Sequence, residues 1–292
     1  MLAGLSFVLL KLWVFQRELA QSAADPYLWV MAVLLSVVYG LSEFFLPLGW
    51  LLLLRAQSAA PPRISWKEAW RLYGKSQIAK YIPGNVFHIA GRHMIASQKG
   101  MEHGTLFGAA ILEIFLLVIC AAALSLLSLD RNFALLKGIF SPFLTIFAVI
   151  MLLAFLAAVV IRNKIAVDRV KRLRLPHLWG AQLSYFAFFS LSCLLFLFVL
   201  TITSKEAATV LEKWNVIVGG YALAWVAGFL VPGAPGGVGV REAILLALLG
   251  TTLPVAGLLL GILVFRLINT MGDVGFYLAA LIAEKAVSTP AI

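Results

Sequence analysis

The chain has 292 residues, of which 62% are hydrophobic and only 12% charged, with a mean hydropathy of +1.00. Soluble domains carry about 25% charged residues, so this balance excludes a soluble globular domain and implies a polytopic membrane protein. The formal charge of +10 does not point to nucleic acid: Lys and Arg gather beside apolar runs, in 55–103 and 162–175, with no basic–aromatic module.

Residues 1–15 form a short apolar run holding Lys11, read as a retained first span because no small-residue cleavage site follows. Residues 28–54 form a second run, interrupted by Glu43 and Pro47, which are expected to kink it or to lie near its outer mouth, a proton relay at Glu43 having no support in the sequence. Trp66, Trp70, Tyr73 and Gln77 recur at helical spacing over 66–82, and 85–99 returns after a break. Residues 104–128 carry Glu113 in mid-span, whereas 141–161 and 178–203 hold no charge. Residues 214–230 are apolar but short, leaving open whether they cross fully or re-enter. The last run, about 254–283, contains Arg266, Asn269 and Asp273.

Two patches repeat one another. Tyr81-Ile82-Pro83-Gly84-Asn85 is followed by Gly91-Arg92, and Leu230-Val231-Pro232-Gly233-Ala234-Pro235-Gly236-Gly237 by Gly239-Val240-Arg241. Each Pro-Gly break precedes an Arg by nine positions, 83 to 92 and 232 to 241. Broken backbone inside a membrane persists only where protein or a wet cavity satisfies it, and a matched pair of breaks points to a transporter's binding site. With the basic stretches placed inside, the N-terminus is inside and the halves, about 1–130 and 131–292, run in opposite senses. The expected fold is a single all-α polytopic membrane domain over 1–292. It has two inverted repeats, each of transmembrane helices plus a broken re-entrant hairpin, with breaks at Pro83, Gly84, Pro232, Gly233 and Pro235.

A charge at mid-membrane costs roughly 2.5–3.5 kcal/mol even on the lenient insertion scale, so such residues face an interior or a wet cavity. Arg266, Asn269 and Asp273, at i, i+3 and i+7, share one helix face, and Arg266 is expected to pair with Glu113. Arg92, Arg241 and Arg266 are expected to make a cationic cavity, with Asn269 beside them. Gly236 and Gly237 would leave the backbone bare for a phosphate where a helix begins near Arg241. Glu113, Glu242 and Asp273 are the candidate ion-pair or coupling groups. Gly257 and Gly261 read as close helix packing. Trp13, Trp29, Trp50, Trp66, Trp179 and Trp214 read as an interfacial belt. Cys120 and Cys193 are expected to be inert, the histidines have no metal-ligand spacing, and no nucleotide loop is present, so neither metal nor cofactor is expected.

The ordered set of Tyr81-Ile82-Pro83-Gly84-Asn85, Gly91-Arg92, Glu113, Ala234-Pro235-Gly236-Gly237-Val238-Gly239-Val240-Arg241-Glu242-Ala243 and Arg266-Leu267-Ile268-Asn269 resembles a flippase-like transmembrane family. That family is named after the membrane part of lysylphosphatidylglycerol synthase, and the resemblance covers essentially the whole chain. It implies movement of a lipid between leaflets: aminoacylated phosphatidylglycerol in synthase-fused members, and polyprenyl-phosphate sugars, other glycolipids or hopanoids in standalone relatives. It also implies roles for Arg92, Glu113, Arg241, Glu242, Arg266 and Asn269, while His88 departs from the pattern and leaves the headgroup open.

No soluble aminoacyl-transferring domain follows the spans, so the chain is not expected to make the lipid itself or to be an enzyme. The expected setting is a bacterial inner membrane, with a lipid as substrate and a lipid-synthesising enzyme or glycosyltransferase as candidate partner. Two rival readings are a membrane glycosyl- or phosphotransferase using Glu242 as its acid or base, and a non-catalytic scaffold for a lipid-modifying enzyme.

Overall fold

The computed structural model describes residues 10–11, 13–57, 64–82, 86–125, 173–231 and 235–288, and among them helix is the only regular structure. The expected span at 141–161, most of 1–15 and 162–172, and the breakers Pro83, Gly84, Pro232 and Gly233 lie outside the described residues.

After a short amphipathic helix α1 (Gln16–Ala23), Asp25 caps α2 (Pro26–Ser42) by accepting the Tyr27 N–H, with Pro26 at the first helical position. The chain kinks at Glu43 and resumes as α3 (Phe45–Gln57). Pro47 stands four residues past Glu43, where its ring would clash with the Glu43 carbonyl of an unbroken helix, so the kink falls where this proline places it. Ser65 caps α4 (Trp66–Gln77), which tightens into a 3₁₀ turn, Ile78–Tyr81, before α5 (Phe87–Gln98). Then come α6 (His103–Ser125), α7 (Leu175–Thr203), α8 (Ala207–Glu212) and α9 (Trp214–Leu230). A second 3₁₀ turn, Pro235–Gly237, leads into α10 (Val240–Leu249) and α11 (Val255–Ser288). Gly236, Gly237 and Gly239 all take positive φ there, which a side chain would resist.

Among the described residues, four stretches are long and apolar enough to cross a membrane: Pro26–Gln57, His103–Ser125, Leu175–Thr203 and Val255–Ala286. The outer face of α2 exposes Val30, Val33, Leu34, Val37 and Leu41, and α7 exposes Leu183, Leu194 and Phe198. Such continuous apolar surface fits hydrocarbon and not water. Trp13, Trp29, Trp179 and Trp214 are exposed, as belt residues would be. Trp50 departs from that expectation, because it is buried beside Arg92.

The long helices pack as α2 on α11 and α3 on α7. Missing side chains set the closeness. A Cβ on Gly40 would stand 3.1 Å from the Gly272 carbonyl oxygen, and one on Gly272 2.9 Å from that of Ser36. Gly257 and Gly261 press against Ser204 and Leu200 of α7, so their spacing does serve helix packing. Two helix–break–helix units complete the fold: α4 with α5, and α9 with α10. Each sends its first helix across the molecule, α4 onto α11 and α9 onto α6.

Candidate functional site

The two 3₁₀ turns meet inside the bundle. A Cβ on Gly236 would lie 3.6 Å from the Tyr81 ring and 3.2 Å from Arg266 Nη2. Beside this junction opens a cavity of about 820 Å³, its mouth included. Its wall includes Lys80, Tyr81, His88, Glu113, Arg241, Arg266, Asn269 and Asp273. The i, i+3, i+7 face of α11 therefore does turn its three polar residues onto one space.

Arg92 is not on that wall. Its guanidinium is buried, 4.1 Å from the Tyr73 ring centroid and 5.1 Å from that of Trp50. Both its Nη atoms donate to the Glu113 carboxylate, and the Tyr73 hydroxyl donates to Glu113 Oε1 at 2.7 Å. The expected Arg266–Glu113 pair is thus replaced by Arg92–Glu113. The physical reason is helix rotation: Arg92 and Tyr73 arrive from the hairpin beside α6, whereas Arg266 looks toward the second tip.

Arg266 donates from Nη1 to the Gly236 carbonyl at 2.9 Å and lies 3.6 Å from Glu242 Oε1. Glu242 in turn accepts the Gly239 N–H at 2.6 Å, capping α10 from inside its own first turn. The helix N-terminus that was expected to stand bare for a phosphate is therefore filled by this chain's own carboxylate. Gly237 is likewise taken up by packing. A Cβ there would stand 2.7 Å from Arg241 Nε and 3.1 Å from the Gly228 Cα.

Arg241 stays on the cavity wall. Its Cζ sits 5.4 Å from the Trp225 ring centroid, matching the stacking of Arg92 on Tyr73 in the first hairpin. Unlike Arg92, it meets no carboxylate among the described residues, and its Nε is buried without a hydrogen bond. Two more wall residues present buried, unpartnered polar atoms, His88 Nδ1 and Asn269 Oδ1.

A third group of charges went unread in the sequence. Lys80 donates to Asp273 Oδ1 at 2.5 Å and stands 3.6 Å from Glu43 Oε1. The Tyr81 hydroxyl donates to Asp273 Oδ2 at 2.5 Å. Glu43 is therefore fully buried in the bundle rather than at an outer mouth. The signal in the sequence is position: Lys80 and Tyr81 directly precede the first break, although Lys80 also belongs to the basic stretch 55–103.

Cys120 receives the Gln182 amide at 2.9 Å and Cys193 is buried among apolar groups. Among the described residues no three His, Cys, Asp or Glu side chains gather to hold a metal ion.

The described residues define a helical protein with four helices fit to cross a membrane and a charged cavity where two broken hairpins meet. No family model matches the chain, and no curated protein matches it either.

Proposed function

We propose that the chain moves the anionic headgroup of a lipid between the leaflets of a membrane, an aminoacyl-phosphatidylglycerol or a polyprenyl-phosphate-linked sugar being the candidate classes. One observation carries this reading. Arg241 faces the cavity as a guanidinium with no carboxylate partner among the described residues, its Nε buried and without a hydrogen bond there. A buried unpaired charge is costly, and an anion entering the cavity supplies the missing acceptor.

On this reading α4–α5 and α9–α10 are re-entrant hairpins of two inverted repeats in a bacterial inner membrane, with the N-terminus inside. The matched breaks and the reciprocal packing of α4 on α11 and α9 on α6 support that plan. Rocking of the hairpin tips about their junction would open the cavity to one leaflet at a time. The protein is then a translocator and not an enzyme, consistent with Glu242 being occupied by the Gly239 N–H.

The test is reconstitution in liposomes carrying fluorescent anionic lipids in one leaflet, comparing the native chain with Arg241→Ala. Protein-dependent exchange that collapses in the variant is expected. Equal exchange by the variant, or none across phospholipids and polyprenyl-phosphate sugars, overturns the proposal.

A further inference from the structure

Glu43 and Asp273 come from α2–α3 and α11, 230 positions apart, and are both fully buried. Both stand against the same ammonium, Lys80 Nζ lying 2.5 Å from Asp273 Oδ1 and 3.6 Å from Glu43 Oε1. Two ionised carboxylates have four acceptor sites each and no donor, so a hydrogen bond between them exists only when one carries a proton. The partners around them leave room for that proton. Asp273 has both oxygens engaged, Oδ1 by Lys80 and Oδ2 by Tyr81. Glu43 Oε1 receives the Gln77 amide at 3.5 Å, but Oε2 has no hydrogen-bond partner among the described residues.

The charge count points the same way. Lys80 is the ammonium between the two acids, 2.5 Å from one and 3.6 Å from the other. The other titratable groups that face the pair are Tyr39 on α2, Tyr81 on the first tip and His88 on α5. Arg92 on α5 is consumed by Glu113, and Arg241 on α10 pairs with neither acid. Arg266, two turns before Asp273 on α11, engages Gly236 and Glu242. Two negative charges against one positive charge, in a site without water access at Glu43, is an arrangement that like-charge repulsion and burial both oppose.

We propose that Glu43 and Asp273 form a proton-binding site in the wall of the anion cavity, holding one proton between them. Nothing else changes bonding: a proton joins a carboxylate to give a carboxylic acid, and leaves the same way. The proton then acts as a coupling ion, a step that rests on the anion-binding reading above. Asp273 and Lys80 both line the cavity that Arg241 lines. An anion arriving there adds negative charge beside the pair and raises its affinity for the proton. By linkage, the proton raises anion affinity by the same factor. The location gives the proton a mechanical lever as well. Lys80 and Tyr81 tie the first hairpin tip to α11 through Asp273, so the protonation state sets the strength of that tie.

Infrared difference spectra of the purified protein, stepped between acidic and alkaline buffer, test the site without any transport. Beyond the bands that the exposed carboxyls give every variant in acid, a protonated carboxylic carbonyl band is expected in the native chain and is expected to be missing from both Glu43→Gln and Asp273→Asn. Its absence from the native chain, or its persistence in Glu43→Gln protein that elutes as a folded monodisperse species, overturns the site. Glu43→Gln keeps shape and hydrogen-bonding capacity, which guards against mere unfolding. The coupling is read by titrating the band with and without dodecyl phosphate, an anionic amphiphile with no carbonyl of its own. The expected result is about a tenfold gain in proton affinity with the amphiphile, abolished by Arg241→Ala. A titration unmoved by the amphiphile overturns the coupling and leaves the proton site standing. A coupled band in a protein that exchanges no lipid overturns the translocation reading alone.

Discussion

The ammonium of Lys80 lies 2.5 Å from Asp273 Oδ1, joining the tip of the first broken hairpin to the middle of α11 across 193 positions of sequence. Lys80 is only slightly exposed and Asp273 not at all, so the pair depends on itself rather than on solvent. Lys80→Met is expected to destabilise the protein by about 3–5 kcal/mol, because it strands buried carboxylates without their cation. Adding Asp273→Asn should recover a large part of the loss. Thermal unfolding of single and double variants in one detergent checks both.

Arg92 and Glu113 make the second buried pair, sealed under Tyr73 and Trp50. Glu113→Gln leaves the guanidinium buried and uncompensated, and a loss of about 3–5 kcal/mol is expected. The double replacement Arg92→Met with Glu113→Leu should cost less than either single change, which a double-mutant cycle measures directly.

Arg241 should behave in the opposite manner. With no acid among the described residues depending on it, Arg241→Ala forfeits chiefly its stacking on Trp225, worth about 0.5–1 kcal/mol, and removes a buried Nε that has no hydrogen bond there. Its unfolding midpoint is expected to stay near that of the native chain while leaflet exchange falls at least tenfold, roughly 1.4 kcal/mol in the exchange barrier. A midpoint drop as large as that of Glu113→Gln would mark Arg241 as structural instead.

Two glycines on α11, three positions apart, should separate packing from helix propensity. Gly272 faces Tyr39 and the α2 backbone, whereas a Cβ on Gly275 would meet nothing within 4 Å. Gly275→Ala is expected to be neutral within about 0.5 kcal/mol. Gly272→Val must push α2 from α11, a strain of about 1–3 kcal/mol or more. It should also disturb the neighbouring Asp273, so its infrared carboxyl band should shift.

Much of the architecture was legible in the sequence because it rests on local quantities. Hydropathy over about 20 residues decides which segments suit a bilayer, and Pro and Gly decide where a helix must stop. The four long apolar helices, the kink in the 28–54 run, the short 214–230 helix and the polar face of α11 were all readable on those grounds. So was the concentration of charge near the two breaks, since charge inside apolar sequence needs a partner or a cavity wherever the chain folds.

Which charge meets which was decided only by tertiary structure. Glu113 accepts Arg92 rather than Arg266, Glu242 turns back to Gly239 rather than leaving its helix start bare, and Glu43 and Lys80 join Asp273. A pairing of this kind depends on the rotation of each helix about its axis and on packing between segments up to 230 residues apart. Sequence spacing constrains neither. It sets the supply of charges inside the bundle, and the packing of α4 on α11 and α9 on α6 then selects which are neutralised and, among the described residues, leaves Arg241 without a carboxylate.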